Sequence, residues 1–161
     1  MPQLSIVVPT FNEAGNVAEL RNRVAAALPG VDWEMIYVDD DSPDGTAATV
    51  RELAQRDSRV RCIQRIGRRG LSSACIEGML ASSAPVVAVI DADLQHDEKL
   101  LPAMFDALRG DDLDVVVGSR YTKGGSMAGW ARTRVATSRF ATRLSRLVLK
   151  ADLQDTMSGF F

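Results

Sequence analysis

The feature that most limits how this chain can fold is the regular alternation of short apolar runs with longer amphipathic segments. The runs have the length and the Val- and Ile-rich composition of buried parallel strands, and the longer segments have the spacing of helices that cover a sheet. The predicted strands are Leu4–Val8, Met35–Val38, Val60–Gln64, Val86–Ile90 and Asp114–Val117. The predicted helices are Asn16–Leu28, Thr46–Arg56, Leu71–Ala81 and Glu98–Leu108. We therefore expect an α/β fold with a mostly parallel sheet flanked by helices.

Size and composition indicate a single globular domain. The chain has 161 residues, of which 46% are hydrophobic and 25% are charged, as is ordinary for a soluble domain. No apolar stretch approaches the roughly 20 residues needed to span a bilayer, and the first residues lack the pattern of a signal peptide. Cys62 and Cys75 are the only cysteines, too few for a zinc site by themselves. We expect both to be reduced core residues of a cytoplasmic protein.

The positive charge is concentrated in one segment, although the net charge of the chain is only −2. Residues 130–150 contain no acidic side chain, and Trp130, Val135 and Phe140 recur among the basic residues at roughly helical spacing. The basic residues of this segment are Arg132, Arg134, Arg139, Arg143, Arg146 and Lys150. A basic amphipathic helix with an aromatic anchor is typical of a membrane interface. The alternative is a helix that packs on the core and pairs its arginines with the acidic body.

Polar clusters follow three of the predicted strands. They are Pro9–Glu13, Asp39–Asp44, and Asp91 with Asp93. Parallel strands joined by right-handed crossovers place their carboxyl ends at one edge of the sheet, where α/β proteins bind ligands. Carboxylates there suit a hard divalent cation that also binds a diphosphate. A purely structural role is open for each cluster, and for Asp44 we favour it, as a cap of the helix that begins at Thr46.

These clusters resemble the family 2 glycosyltransferases. The resemblance rests on Ile6–Glu13, Val38–Thr46 and Asp91–His96, and it extends through Arg65–Leu71, Gly118–Tyr121 and Asp155–Phe160. Within that family the dolichyl- and polyprenyl-phosphate mannose synthases are the most similar branch. The resemblance implies a Rossmann-like GT-A fold, a nucleotide-sugar donor and Mg²⁺ or Mn²⁺ as cofactor.

The resemblance also implies roles for individual residues. The residues expected to bind the donor are Pro9, Phe11, Glu13, Val38, Asp39, Asp40, Asp91, Ala92 and Asp93. The expected metal ligands are Asp91, Asp93 and Gln95, and Arg120, Arg134 and Ser138 would bind the acceptor phosphate. Asp91, Asp93, Arg120 and Arg134 are the expected catalytic residues. Residues 1–129 would form the nucleotide-sugar-binding core, and residues 130–161 the interfacial helix and the start of the acceptor side.

Two departures from the family pattern bear on activity. The family usually has Tyr where this chain has Phe11, so the ring can stack on a base but has no hydroxyl. The family's chain also continues past residue 161, and an ending on Gly159-Phe160-Phe161 suggests a truncated chain.

The resulting expectation is an inverting transfer of a hexose, mannose from GDP-mannose, to a polyprenyl or dolichyl phosphate at the cytoplasmic face of a membrane. The alternatives are a family 2 transferase that uses UDP-glucose or acts on a saccharide hydroxyl, and a truncated nucleotide-binding module without activity.

Two further features of the sequence lie beside these clusters. Arg65, Arg68 and Arg69 lie among glycines without stacking aromatics, so we expect a loop near the donor and no nucleic-acid partner. His96 directly follows the predicted metal ligands, and we expect it on a surface loop or at a helix start rather than on the metal.

Overall fold

The structure is a computed structural model, and it describes residues 1–110, 113–119 and 158–161. The elements in chain order are β1 (Leu4–Thr10), α1 (Val17–Ala27), β2 (Trp33–Asp39), α2 (Thr46–Arg56), β3 (Val60–Gln64), α3 (Leu71–Leu80), β4 (Val86–Val89), a 3₁₀ helix (Glu98–Leu100) and α4 (Leu101–Leu108). The predicted bounds of α2 and β3 agree with these, and the other elements differ by a few residues at their ends.

The four strands form one parallel sheet in the order β3-β2-β1-β4. The chain builds the sheet outward from β1 through β2 to β3, and then returns to place β4 on the other side of β1. Such a reversal of direction opens a crevice at the carboxyl ends of the two strands that flank it. The loops after β1 and β4 therefore lie on either side of this switch point, as the sequence predicts.

Two apolar clusters cover the two faces of the sheet, because successive residues of a strand point to opposite faces. The larger cluster joins Ile6, Val8 and Tyr37 to the buried sides of α1, α2 and α4. The smaller joins Val7 and Val38 to α3. The resulting helix–sheet–helix layers fix the loops at the carboxyl edge from both sides.

Beyond β4, residues 113–119 are not in a strand, contrary to the prediction for Asp114–Val117. The backbone contact described for this stretch is a hydrogen bond from Gly118 N to Phe160 O, 2.9 Å long. It is Phe160 and Phe161 that pair with the free edge of β4. Phe161 exchanges two backbone hydrogen bonds with Val89, and Phe160 forms an antiparallel bridge with Ile90. The apolar run that ends at Phe161 thus has a strand partner at this edge.

The basic segment 130–150 lies outside the described residues, so its predicted membrane contact stays a prediction. Among the described residues, no helix has both the length and the hydropathy required to cross a membrane.

Candidate functional site

The loops that follow β1 and β2 are joined by hydrogen bonds. The amide of Asn12 donates to Ser42 Oγ (2.9 Å), that of Glu13 to Thr46 Oγ1 (2.9 Å), and that of Ala14 to Asp44 Oδ2 (3.1 Å). Asn12 itself has a positive φ of 61°, a conformation that Asn tolerates better than most residues. The two loops therefore form one wall of the crevice.

Asp44 has the structural role that its sequence context predicts. Its Oδ1 accepts hydrogen bonds from the amide (3.0 Å) and the hydroxyl (2.6 Å) of Thr46, the first residue of α2. The bond from the Thr46 hydroxyl is the largest influence on the Asp44 carboxyl, whose pKa lies below its ordinary value. A carboxylate at this helix start also interacts favourably with the helix dipole.

Asp39 is completely buried and its hydrogen bonds are internal. Its Oδ2 accepts from Ser42 N (2.9 Å), and its Oδ1 accepts from Ser42 Oγ (2.5 Å) and Thr10 Oγ1 (3.3 Å). These contacts fix the turn after β2, which places the next residue, Asp40, at the edge of the crevice. Contact between Asp39 and a donor stays a prediction.

Asp40 is held by a buried arginine. Arg65 Nη1 donates to Asp40 Oδ1 (2.6 Å), and the amide of Gly70 donates to Asp40 Oδ2 (2.6 Å). The Arg65 side chain is only 2% exposed, and it also donates to Gly70 O (3.1 Å) and Ser73 Oγ (2.5 Å). The loop that contains Arg65, Arg68 and Arg69, here called the arginine loop, therefore contacts Asp40, one of the predicted donor residues, and Arg65 is its buried member.

Phe11 is the exposed aromatic side chain of the crevice. It is 42% exposed, and the guanidinium of Arg69 lies over its ring, 4.3 Å from the centroid. By contrast, Pro9 and Val38 are buried, so a ligand would reach only their backbone atoms. Glu13 is partly buried and accepts a hydrogen bond from Asn16 Nδ2 (2.6 Å).

The loop after β4 presents the predicted metal ligands. Asp91 is partly exposed, Ala92 is buried, and Asp93 and Gln95 are exposed. Leu94 has a φ of 59°, and the amide of Gln95 donates to Asp93 Oδ1 (3.0 Å). This tight turn leaves Asp93 and Gln95 exposed at the carboxyl edge of the sheet, with Asp91 partly exposed beside them.

These oxygen donors fit Mg²⁺ or Mn²⁺, which prefer carboxylate and carbonyl ligands. Within the described residues, no group of three or more His, Cys, Asp or Glu side chains is arranged to bind a metal. Two carboxylates would leave coordination positions free for the oxygens of a diphosphate, so the donor set fits an ion shared with a substrate.

His96 is more enclosed than the sequence suggests. Its Nε2 lies 3.5 Å from Asp91 Oδ2, and its ring centroid is 5.5 Å from that of Phe160. The side chain is 14% exposed. His96 lies in the loop directly before the 3₁₀ helix, which Asp97, the next residue, caps, so its position agrees with the expectation of a loop or helix start. Sequence reasoning missed this contact because Phe160 is 64 residues away along the chain.

Cys75 lies buried on α3. Burial raises the pKa of its thiol, and the charges of Asp91 and Asp40 add to that effect. Arg120, Arg134 and Ser138, the predicted acceptor ligands, lie outside the described residues.

Solved structures similar to this chain share its fold. The mannosyltransferase PcManGT from Pyrobaculum calidifontis, in complex with GDP-Man and Mn²⁺, matches with a TM-score of 0.56 and 24% identity, over 72% of this chain and 34% of that one. The glucosyl-3-phosphoglycerate synthase of Mycobacterium tuberculosis, in complex with Mn²⁺, UDP and phosphoglyceric acid, matches with a TM-score of 0.69 and 22% identity. The match covers 99% of this chain and 54% of that one. The fold is therefore GT-A.

Curated relatives are more similar in sequence. The dolichol-phosphate mannosyltransferase of Pyrococcus furiosus is 40% identical, over 99% of this chain and 45% of its own length. The polyprenol monophosphomannose synthase of Mycolicibacterium smegmatis is 35% identical, over 96% of this chain and 59% of its own length. The dolichol-phosphate mannosyltransferase of Saccharomyces cerevisiae is 35% identical, over 99% of this chain and 60% of its own length. The chain thus spans about half the length of the curated relatives it matches. The pattern of the family described as glycosyl transferase family 2 matches residues 5–161, and the chain belongs to that family.

Proposed function

We propose that this chain is an inverting glycosyltransferase that transfers mannose from GDP-mannose to a polyprenyl or dolichyl phosphate. The observation that carries the proposal is the position of Asp91 and Asp93 at the switch point of the sheet, beside the loop that presents Phe11. The names of the relatives, which are mannosyltransferases of dolichol phosphate and a polyprenol monophosphomannose synthase, support the choice of sugar and acceptor.

On the donor side, Phe11 would stack on the base while Asp40 and Glu13 interact with the ribose or the base. Asp91, Asp93 and Gln95 would bind Mg²⁺ or Mn²⁺, which supplies Lewis-acid stabilisation of the negative charge that develops on the leaving diphosphate. The Ala92 backbone would lie near the sugar nucleotide.

The acceptor side relies on Arg120, Arg134 and Ser138. A phosphate monoester has a second pKa of about 6, so near neutral pH it is already largely ionised. It therefore requires orientation rather than deprotonation, and the guanidinium fork pairs well with a phosphate. A saccharide hydroxyl would instead require a general base.

The proposed location is the cytoplasmic face of a membrane, contacted by residues 130–150. Six basic residues, each contributing on the order of 1 kcal/mol near an anionic surface, would produce substantial attraction. The proposal predicts that the chain sediments with vesicles containing an anionic lipid and not with neutral ones. Equal recovery with both vesicles would contradict it.

The transfer reaction tests the proposed function. The chain is incubated with radiolabelled GDP-mannose, Mn²⁺ and a polyprenyl phosphate in detergent, and label in the organic phase is counted. The proposal predicts Mn²⁺-dependent label that is lost in Asp93→Ala and retained in Asp106→Ala, a control at an exposed carboxylate on α4. Label from UDP-glucose instead would identify a different donor. Metal-dependent binding of nucleotide without transfer would indicate a binding module without activity.

A further inference from the structure

The segment Ser158–Phe161 is held against the carboxyl end of β4 by several hydrogen bonds. Ser158 Oγ donates to Gly118 O (2.9 Å), and the amide of Phe160 donates to Ser158 Oγ (3.2 Å). Phe161 exchanges backbone hydrogen bonds with Val89 of β4, and the Phe160 side chain is buried. The segment is thus fixed on both sides of Gly159.

Gly159 lies against the carboxyl group of Asp91. A Cβ built on Gly159 would be 2.8 Å from Asp91 Oδ1, 2.5 Å from its Cγ and nearer still to its Oδ2. These distances are shorter than real Cβ contacts. The backbone of Gly159 does not have a positive φ, so its conformation is open to an L-residue. It is space, and not backbone geometry, that requires glycine at this position.

We infer that Gly159 positions the metal ligand: the absence of a side chain at residue 159 leaves the Asp91 carboxylate the space in which it binds the divalent ion. This inference rests on the proposed function, because it assigns Asp91 to the metal. Gly159 is a positioning residue that acts through Asp91.

A methyl group at residue 159 would displace whichever neighbouring group is free to move. The backbone on each side is held, by the Val89–Phe161 pair and by the hydrogen bond from Ile90 N to Val7 O (3.1 Å). The Asp91 side chain is the mobile partner, because it can rotate about its own bonds. His96 lies on its other side, at 3.5 Å. An alanine would therefore move the carboxylate and leave the fold in place.

The test is Mn²⁺ binding, measured by electron paramagnetic resonance of free Mn²⁺ in the presence of GDP. We expect Gly159→Ala to bind Mn²⁺ about tenfold more weakly or worse, in the range found when a residue that orients a metal ligand is changed. Gly110→Ala is the matched control, because a Cβ there meets only ordinary contact, 3.9 Å from Ala107 O. It should bind Mn²⁺ as the wild type does.

Urea unfolding distinguishes positioning from a loss of structure. Gly159→Ala should unfold cooperatively. The double variant Asp91→Ala/Gly159→Ala should have the same midpoint of urea unfolding as Asp91→Ala alone, because the carboxyl group that obstructs the new methyl group is then absent. Equal Mn²⁺ affinity in wild type and Gly159→Ala would overturn the inference and leave the proposed function intact. The inference would also be overturned if Gly159→Ala did not fold, or if Gly159→Ala lowered the midpoint of urea unfolding by the same amount in the Asp91→Ala variant as in wild type. A wild-type chain that binds no Mn²⁺ would overturn both proposals.

Discussion

At the scale of single residues, Arg65 and Arg68, two of the three arginines of the arginine loop, differ greatly in their surroundings. Arg65 is 2% exposed and is the charged partner of Asp40, which is itself 7% exposed. Arg68 is 60% exposed and pairs with Glu77 on α3. Removing one member of a buried ion pair leaves an uncompensated charge, whereas an exposed pair contributes little.

We expect Arg65→Met to lower the free energy of unfolding by about 3–5 kcal/mol, as measured by urea denaturation. Arg68→Met, the control on the same loop, should cost about 1 kcal/mol or less. Arg65→Lys should fall between them, since it keeps the charge and loses the fork that reaches Asp40 and Ser73 together. Similar losses in Arg65→Met and Arg68→Met would contradict this account of the loop.

Asp57, at the end of α2, provides a pH-dependent contribution to stability. Hydrogen bonds from Arg59, above all, and from Arg21 outweigh burial and hold the pKa of the Asp57 carboxyl below its ordinary value. Its stabilisation is therefore complete above the unfolded-state pKa of about 3.9, and it is lost as pH falls through the lower folded-state value.

For this carboxyl group, the expected result is that wild type exceeds Asp57→Asn in free energy of unfolding at pH 6, and that the difference shrinks as pH falls below 4. Urea denaturation at a series of pH values measures it. A difference independent of pH would show that the ionic contacts of Asp57 do not stabilise the fold.

How far residue roles could be predicted depends on whether the partner is local. The capping of α2 by Asp44 was predictable because Thr46 is two residues away. The pairing of Asp40 with Arg65 joins residues 25 apart, and that of His96 with Phe160 joins residues 64 apart. The side chains of each pair can be read from the sequence, but their contact depends on the tertiary fold that brings distant residues together.

At the scale of elements, β1 shows why a breaker residue misled the sequence analysis. The prediction ended the strand at Val8, before Pro9, but the strand runs to Thr10. The carbonyl of Val7 faces β4, where Ile90 N donates to it, and that of Thr10 faces β2, where Asp40 N donates to it. Pro9 therefore directs its missing N–H toward β4, whose strand has ended by that point, and no ladder bond within the sheet is lost.

Gly78 lets α3 pack closely on the sheet. A Cβ built there would be 3.0 Å from Val38 Cγ2, 3.1 Å from Val7 Cγ2 and closer to Val7 Cγ1. Both valines are fully buried, and β-branched side chains have little freedom about their first bond.

Gly78→Ala should therefore destabilise the protein by about 1–3 kcal/mol through overpacking, although alanine is the better helix former by about 1 kcal/mol. The free energy of unfolding, measured in urea, reports the net effect of overpacking and helix propensity. Gly110→Ala is the control, because a Cβ at that position meets only an ordinary contact. A variant as stable as wild type would mean that α3 can move away from the sheet at little cost.

At the scale of the whole molecule, the alternation of strands and helices was sufficient to predict the layered sheet and the edge at which the functional loops meet. The order β3-β2-β1-β4 is known only from the structure. The arrangement of the free edge of β4 was not predictable, because it depends on residues at the far end of the sequence. Phe160 and Phe161 pair there while the Val-rich run 115–117 does not form a strand.

We propose that this fold binds a guanosine diphosphate sugar through a divalent ion at Asp91 and Asp93. Calorimetric titration of the chain with GDP, GDP-mannose, UDP and UDP-glucose, with and without Mn²⁺, tests it most directly. We expect binding of GDP and GDP-mannose that requires Mn²⁺, is lost in Asp93→Ala and is unchanged in Asp106→Ala. Binding that persists without metal or in Asp93→Ala, or a preference for the uridine nucleotides, would contradict the claim.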